Sequence, residues 1–505
     1  MADAPIAEVL LDDGGLSVDE VAAVAEGTPL RLGALARVRM DEGVGWWEAH
    51  GDRRLLRSKW EQLMGGPAPA HRREAVERFL LDHCAGVGEP LPKPVVRALI
   101  AVRAQVLAKG TSGVRPVVVD RLLELLDTDR IPVVPTHGAV GAAGSSSLAH
   151  VARVALGLGG QILGPDGPVP ADLPVLEISE KEALSLINGS SLTTAMAALA
   201  CARARRLLCS AVAACGLSME VVRADAHCLD PRAFAARGHP GGQVVAQGLR
   251  TLLEGSELVT PQRSPDAFSI RCAPVVLGAA TDALEYVRTV VERELAGASD
   301  NPLVFADGTV EGGQFHAAPV AMAMDHLKVA LVQVASIAER RVFRLTYGRL
   351  SGLPSFLVPG TGVNSGLMLA QYTAASLVAE ARGRAVSGSV DSIPTVQHHE
   401  DHVSMGPVAA RTALDVVELV SDVVAIELLT AAQGLDFRMR GEAVDEEGVL
   451  VSTEPASPGA GSRAVYDAVR SYVDRWEDDQ VLHPDLVALG EAVRAGDFAE
   501  LAPCL

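Results

Sequence analysis

Aromatic side chains are scarce in this chain: Phe, Trp and Tyr make up 4% of 505 residues. Sheets lean on aromatic and β-branched side chains to cover their pleated faces, so this scarcity, with abundant Ala, Leu, Glu and Arg, favours helix over strand. Long apolar runs are missing too. None approaches the roughly eighteen uninterrupted residues of a membrane span, and the opening MADAPIAEVLLDD lacks the basic-then-apolar layout of a signal peptide. The expectation is a soluble, cytoplasmic protein that does not enter a membrane. Basic excess is absent as well: the formal net charge is −19, which argues against nucleic acid or an anionic membrane as partner, since either needs a basic face. The seven cysteines are odd in number and form no C-x-x-C pair, so neither a disulfide framework nor a zinc site is expected, and buried thiols are. No Walker loop, dinucleotide fingerprint, G-x-S-x-G or haem motif is present.

What is present is apolar material, 49% of the chain, and enough length to bury a sizeable core. Ser17-Val18-Asp19-Glu20 reads as a capping box opening a short helix over residues 17–26, stopped by Gly27. Residues 117–130 form an amphipathic helix before IPVVP breaks the chain, and 408–434 reads as a long helix with Arg411, Asp415, Glu418 and Asp422 in one polar stripe. From Trp46 to Trp60 three tryptophans mix with Arg53, Arg54, Arg57 and Lys59; such a stretch can hold an anionic or aryl ligand or be a solvated helix face. In THGAVGAAGSSSLAH, Thr136 to His150, Gly138, Gly141 and Gly144 lie three apart among small residues ahead of an apolar helix.

That stretch resembles the signature of the aromatic amino acid ammonia-lyases and aminomutases, in which an Ala-Ser-Gly tripeptide cyclises into a methylidene-imidazolone (MIO) electrophile. The matching residues here are Ala142, Ala143 and Gly144, and the residue that supplies the electrophilic carbon in the family is Ala143, which has no hydroxyl to lose. Similarity continues through Leu80–Pro116, EISEKEALSLINGSSL, SPDAFSIRC, GGQFHAAPVAM, LVPGTGVNSGLML and SVDSIPTVQHHEDHVSMG. It covers nearly the whole chain, with gaps at 28–70 and 217–260. The resemblance implies an all-α fold, a long-helix bundle of the histidine/phenylalanine ammonia-lyase type, with residues 1–190 as an N-terminal lyase-like domain and 191–505 as the central bundle and closing helices. It also implies a homotetramer with pockets shared between chains.

Carried over residue by residue, the resemblance gives Glu400 and His83 as catalytic candidates and Arg271, Asn188, Phe268 and Phe315 as substrate-binding ones; His399, which stands where the family usually has Gln, joins the catalytic candidates as a titratable side chain beside Glu400. Arg271 matches the family's carboxylate clamp, a role suited to a planar guanidinium fork. Phe268 stands where the family has a catalytic tyrosine, and no segment matches the family's loop carrying another. His398 and His402 would share a helix face, which invites a metal; no metal is expected, since the family needs none, and acid–base work by His399 or Glu400 in a dry pocket is the alternative use. With the serine and both tyrosines missing, two readings stay open. One is a MIO-independent enzyme, without cofactor, acting on a carboxylated or carrier-bound small molecule by elimination, addition, isomerisation or cyclisation in specialised metabolism, and not a conventional ammonia-lyase. The other is a non-catalytic homologue that binds a ligand or a partner protein.

Overall fold

In the computed structural model, residues 6–12, 14–142, 145–259, 266–360, 362–445 and 449–502 are described, the side chains of Leu63 and Met64 excepted. The architecture is helical, as expected, and strands among the described residues occur only as two-stranded pairs. The elements that place the site are, in chain order, strands β1 (Val87–Pro90) and β2 (Pro135–His137) and helices α1 (Ser146–Ala155), α2 (Glu180–Ile187), α3 (Ser191–Val221), α4 (Phe268–Arg271), α5 (Ala273–Ala296), α6 (Ala318–Thr346), α7 (Met368–Arg384) and α8 (Gly406–Met439).

α3 and α8 run together through the centre, with α6 against both and α5 and α7 outside it. Their sequences explain the position. α3 is built from Ala, Leu, Ser and Cys with few long polar side chains, so it is buried almost all round and small residues let its neighbours approach closely. Proline stands in the first turn of α5, α6 and α8, where its missing N–H costs nothing. The Ser17 capping box forms with both of its bonds ahead of a helix at Val18–Ala25. In the polar stripe of α8, Asp415 pairs with Arg384, Glu418 with Arg203 and Arg494, and Asp422 with Arg494, while Arg411 Nη1 donates to the Thr136 carbonyl at 3.2 Å.

Two stretches, Glu180–Val221 and Ala318–Thr346, are long and apolar enough to cross a bilayer by length and composition, but 94% and 61% of their most apolar windows are buried, as core helices of a bundle are. One cysteine departs from expectation: Cys209 is disulfide-bonded, whereas Cys84, Cys201, Cys215, Cys228 and Cys272 are free thiols. The tryptophan-rich stretch folds into two helices, Ala34–His50 and Leu55–Met64. Its Arg57 pairs with buried Glu180 at 2.6 Å and so fastens this stretch to the core.

Deep in the bundle Arg341 of α6 and Glu427 of α8, both 0% exposed, form a two-pronged pair with Nε–Oε1 2.5 Å and Nη2–Oε2 2.8 Å, and Ser218 of α3 donates to the same carboxylate at 2.7 Å. Three helices are thereby fixed in register. Removing one partner strands a buried charge, so Arg341→Met is expected to lower stability by about 3–5 kcal/mol, read from urea unfolding. A loss below about 1 kcal/mol would contradict this role for the pair.

Candidate functional site

The small-residue loop after β2 is the point where distant segments meet. On its leading side, Met405 N donates to the Val140 carbonyl at 2.9 Å, Ser404 Oγ donates to the Gly141 carbonyl at 2.8 Å, and Ala317 N donates to the same carbonyl at 3.2 Å. Gly141 has φ 80°, and a Cβ there would lie 2.2 Å from Ser404 Oγ and 2.9 Å from Gly406 N. Only glycine fits so close a crossing. On the trailing side Ser145 N donates to the Ile187 carbonyl at 2.7 Å, beside Asn188, and α1 starts at Ser146. β2 itself pairs antiparallel with β1, a few residues beyond His83.

Four candidates therefore stand on segments that border this loop. Asn188 closes α2 and is buried; its Nδ2 donates to the Asn301 carbonyl at 2.8 Å, and its Oδ1 has no partner. His83 is half-buried, with Nδ1 2.7 Å from the Phe79 carbonyl and 2.5 Å from Asp82 Oδ1. Burial works against its charge, but Asp82, the Phe79 carbonyl and the charge of Glu400 outweigh it and raise its pKa. Glu400 accepts from Thr395 Oγ1 at 2.6 Å and its backbone bridges that of Thr395. Phe315 is half-buried next to His316, whose Nε2 lies 3.2 Å from Nδ1 of His402, the rings stacked at 5.3 Å. Burial, then the nearby His402, depresses the pKa of His316.

Three candidates lie elsewhere. Arg271 and Phe268 belong to α4 and are exposed, Phe268 by 68%, with the guanidinium over the ring at 4.8 Å. Among the described residues, none closes over Arg271, which is open to solvent. α4 is held to the far end of α6, where Arg341 Nη1 donates to the Ser269 carbonyl at 3.4 Å, whereas the loop is held to the near end at Ala317. From Ala318 to Arg341 an α-helix runs about 35 Å, far beyond the reach of an arginine side chain. His399 is exposed and not in a dry pocket, and residues 396–398 form a short 3-10 turn containing left-handed backbone. His398 and His402 thus share no helix face, and among the described residues no group of three or more His, Cys, Asp and Glu is placed to hold a metal.

Sequence reasoning did not single out Ser404, nor the charges behind Asn188: Arg103, Lys181 and Asp300, all buried. Only Arg103, inside the apolar run ALIAVRAQVLA, offered a signal; Lys181 stands between Glu180 and Glu182, and Asp300 between Ser299 and Asn301.

The aromatic amino acid lyase family model matches residues 16–471. A histidine ammonia-lyase of Caldanaerobacter subterraneus subsp. tengcongensis is 40% identical over 441 residues, covering 85% of this chain and 84% of that protein. A histidine ammonia-lyase of Anaeromyxobacter sp. (strain K) is 40% identical over 523 residues, covering 97% and 99%. The crystal structure of histidine ammonia-lyase from Trypanosoma cruzi superposes with a TM-score of 0.87 at 33% identity, covering 98% of this chain and 95% of that one. This chain belongs to the aromatic amino acid lyase family.

These relatives overturn the functional expectation drawn from the tripeptide. Kinship at about 40% identity over most of the chain, to proteins all named histidine ammonia-lyase, points to a conventional ammonia-lyase and away from both a MIO-independent enzyme and a non-catalytic homologue. The expectation of no cofactor falls with it, because histidine ammonia-lyases typically use the imidazolone electrophile. A carrier-bound substrate is likewise unsupported; the family acts on small molecules and is commonly oligomeric. The residues at 142–144 are nevertheless Ala-Ala-Gly. They carry no side-chain oxygen and do not fit the serine chemistry of that group; Ala143 and Gly144 lie outside the described residues.

The raised His83 pKa rests on Asp82. In Asp82→Asn, imidazole NMR titration should show the His83 pKa fall, with burial then unopposed by that carboxylate. An unchanged midpoint would show that Asp82 does not hold the proton.

Proposed function

We propose that this chain is an aromatic amino acid lyase of the histidine ammonia-lyase kind, with L-histidine as substrate, working as a cytoplasmic homotetramer. In the overall reaction the Cα–N bond breaks with its electron pair going to nitrogen, the proton lost from Cβ becomes the fourth proton of the ammonium released, and the electron pair of the Cβ–H bond becomes the new carbon–carbon double bond. The observation that carries the reading is the gathering of His83, Asn188, Phe315 and Glu400 on segments that meet at one loop. In this reading Asn188 Oδ1 accepts an N–H from the substrate, Phe315 covers its ring, and Glu400 exchanges the proton of its amine. His83, whose pKa is raised, keeps a positive charge to higher pH than an ordinary imidazole and steadies the charge of Glu400. The clamp for the carboxylate, Arg271, cannot come from the same chain, so a second copy supplies it.

Assembly is supported by the surface of the bundle. Met322, Val329 and Phe343 on α6 and Leu369 and Tyr372 on α7 are exposed apolar side chains, and Val386, Val390 and Ile393 follow α7, a larger apolar display than a lone soluble chain normally keeps. Sedimentation should give four copies; a monomer at micromolar concentration would contradict this.

Ammonia release from histidine, phenylalanine and tyrosine tests the substrate, measured on this chain and on Ala143→Ser. Histidine is expected to be turned over in preference to the other two, and Glu400→Gln to slow it by about a hundred- to ten-thousand-fold. Turnover that appears only in Ala143→Ser would keep the substrate reading but contradict lyase activity of the unaltered chain, assigning its loss to one residue. No ammonia from histidine in either protein would overturn the proposal.

A further inference from the structure

Behind Asn188 lies a buried group of three charges that the reaction does not touch. Arg103, Lys181 and Asp300 are at most 1% exposed. Arg103 Nη1 donates to the Asn188 carbonyl at 2.6 Å and Nη2 to the Ser185 carbonyl, at the last turn of α2. Asp300 Oδ2 sits 3.7 Å from Arg103 Nη2 and 3.6 Å from Lys181 Nζ, and Lys181 Nζ donates to Ser185 Oγ at 2.6 Å. Asp300 Oδ1 in turn accepts from Asn301 N at 2.8 Å, and the Asn301 carbonyl takes Nδ2 of Asn188.

The next residue, Gly189, has φ 106°, and a Cβ there would lie 2.1 Å from the Ser299 carbonyl and 3.1 Å from Arg103 Nη1. The turn that presents Asn188 is thus closed on by the guanidinium on one side and by the 299–301 segment on the other.

Two cations around one carboxylate, fully out of water, are an expensive way to hold a helix end, where well-packed apolar residues would hold it at least as well. Burial works against the charge of Asp300, yet Lys181 and Arg103 hold its carboxyl below the ordinary carboxylate range. What the group does achieve is directional. It fixes the main-chain oxygen of Asn188 through Arg103 and its carboxamide nitrogen through the Asp300–Asn301 turn, and it leaves Oδ1 as the one side-chain atom of Asn188 without a partner. A buried acceptor left open costs stability unless something else fills it.

We infer that Arg103 and Asp300 are positioning residues that aim the Asn188 carboxamide oxygen into the site, with Lys181 balancing the carboxylate. This rests on the reading above, in which Asn188 faces the substrate. Losing a well-aimed acceptor for a charged donor costs roughly ten- to a hundredfold in affinity.

The test compares the intact protein with Asn188→Ala, Asp300→Asn, Arg103→Lys and the Asn188→Ala/Asp300→Asn double variant. Arg103→Lys keeps the charge balance and guards against a variant that fails to fold. Sedimentation and melting establish assembly, calorimetric titration with L-histidine gives affinity, and hydrogen exchange by mass spectrometry reports residues 185–191 without any ligand. Expected are assembled variants that bind histidine roughly ten- to a hundredfold more weakly, as Asn188→Ala does, a double variant no weaker than either single, and faster exchange confined to 185–191. An assembled Asp300→Asn or Arg103→Lys that binds like the unaltered chain, or losses that add in the double variant, would overturn the inference. If the unaltered chain does not bind histidine, the substrate reading fails and exchange alone decides: local quickening at 185–191 supports positioning, and an unchanged pattern refutes it.

Discussion

A glycine with no room for a side chain sets the geometry of this protein. Gly141 crosses Ser404 and Gly406 so closely that any Cβ would collide, and its carbonyl is shared by Ser404 Oγ and Ala317 N. That crossing brings the start of α6, the start of α8 and the loop before α1 to one place, and each carries a candidate residue within a few positions: Phe315 before α6, Glu400 and His402 before α8, Asn188 just across from Ser145. The long helices then act as rigid rods leading away. Their buried Arg341–Glu427 pair, far along α6, fixes how they lie against one another.

Because α6 is one unbroken helix from Ala318 to Thr346, whatever is tied to its two ends is kept apart. The loop is tied to one end and the α4 turn with Arg271 and Phe268 to the other. This rigidity is the physical reason Arg271 and the residues around the loop stay apart within one chain, and in the proposed reading a second copy brings Arg271 to them.

Local signals in the sequence were read well where local physics decides. The capping box at Ser17 and the polar stripe of α8 appear where periodicity and side-chain chemistry put them. His83, Asn188, Phe315 and Glu400 were legible through resemblance, and the structure brings their segments together. Arg271 and Phe268 were legible as residues but not as places, since nothing local says which end of a 29-residue helix a distant turn will dock against. His399 is exposed within the chain beside left-handed backbone at 396–398, a local geometry that the sequence does not announce. Arg103, Lys181 and Asp300 are separated by up to two hundred positions, and only the fold reveals that they share one buried space. The tripeptide Ala142-Ala143-Gly144 misled functional reasoning in the opposite sense, because one short stretch was weighed above kinship spread over most of the chain.

In the proposed reading a working site takes Arg271 from one copy and Asn188 with Glu400 from another. Mixing two disabled chains addresses it most directly. Arg271→Ala and Glu400→Gln chains, each purified, are dissociated, mixed and reassembled, and histidine turnover is followed beside each variant alone, in the Ala143→Ser background should the unaltered chain be silent. Shared sites predict that the mixture recovers a substantial fraction of the unaltered rate, because some sites then draw both intact residues from different copies. Mixed assemblies that form, as mass spectrometry would show, and yet stay as inactive as their parents would contradict the account.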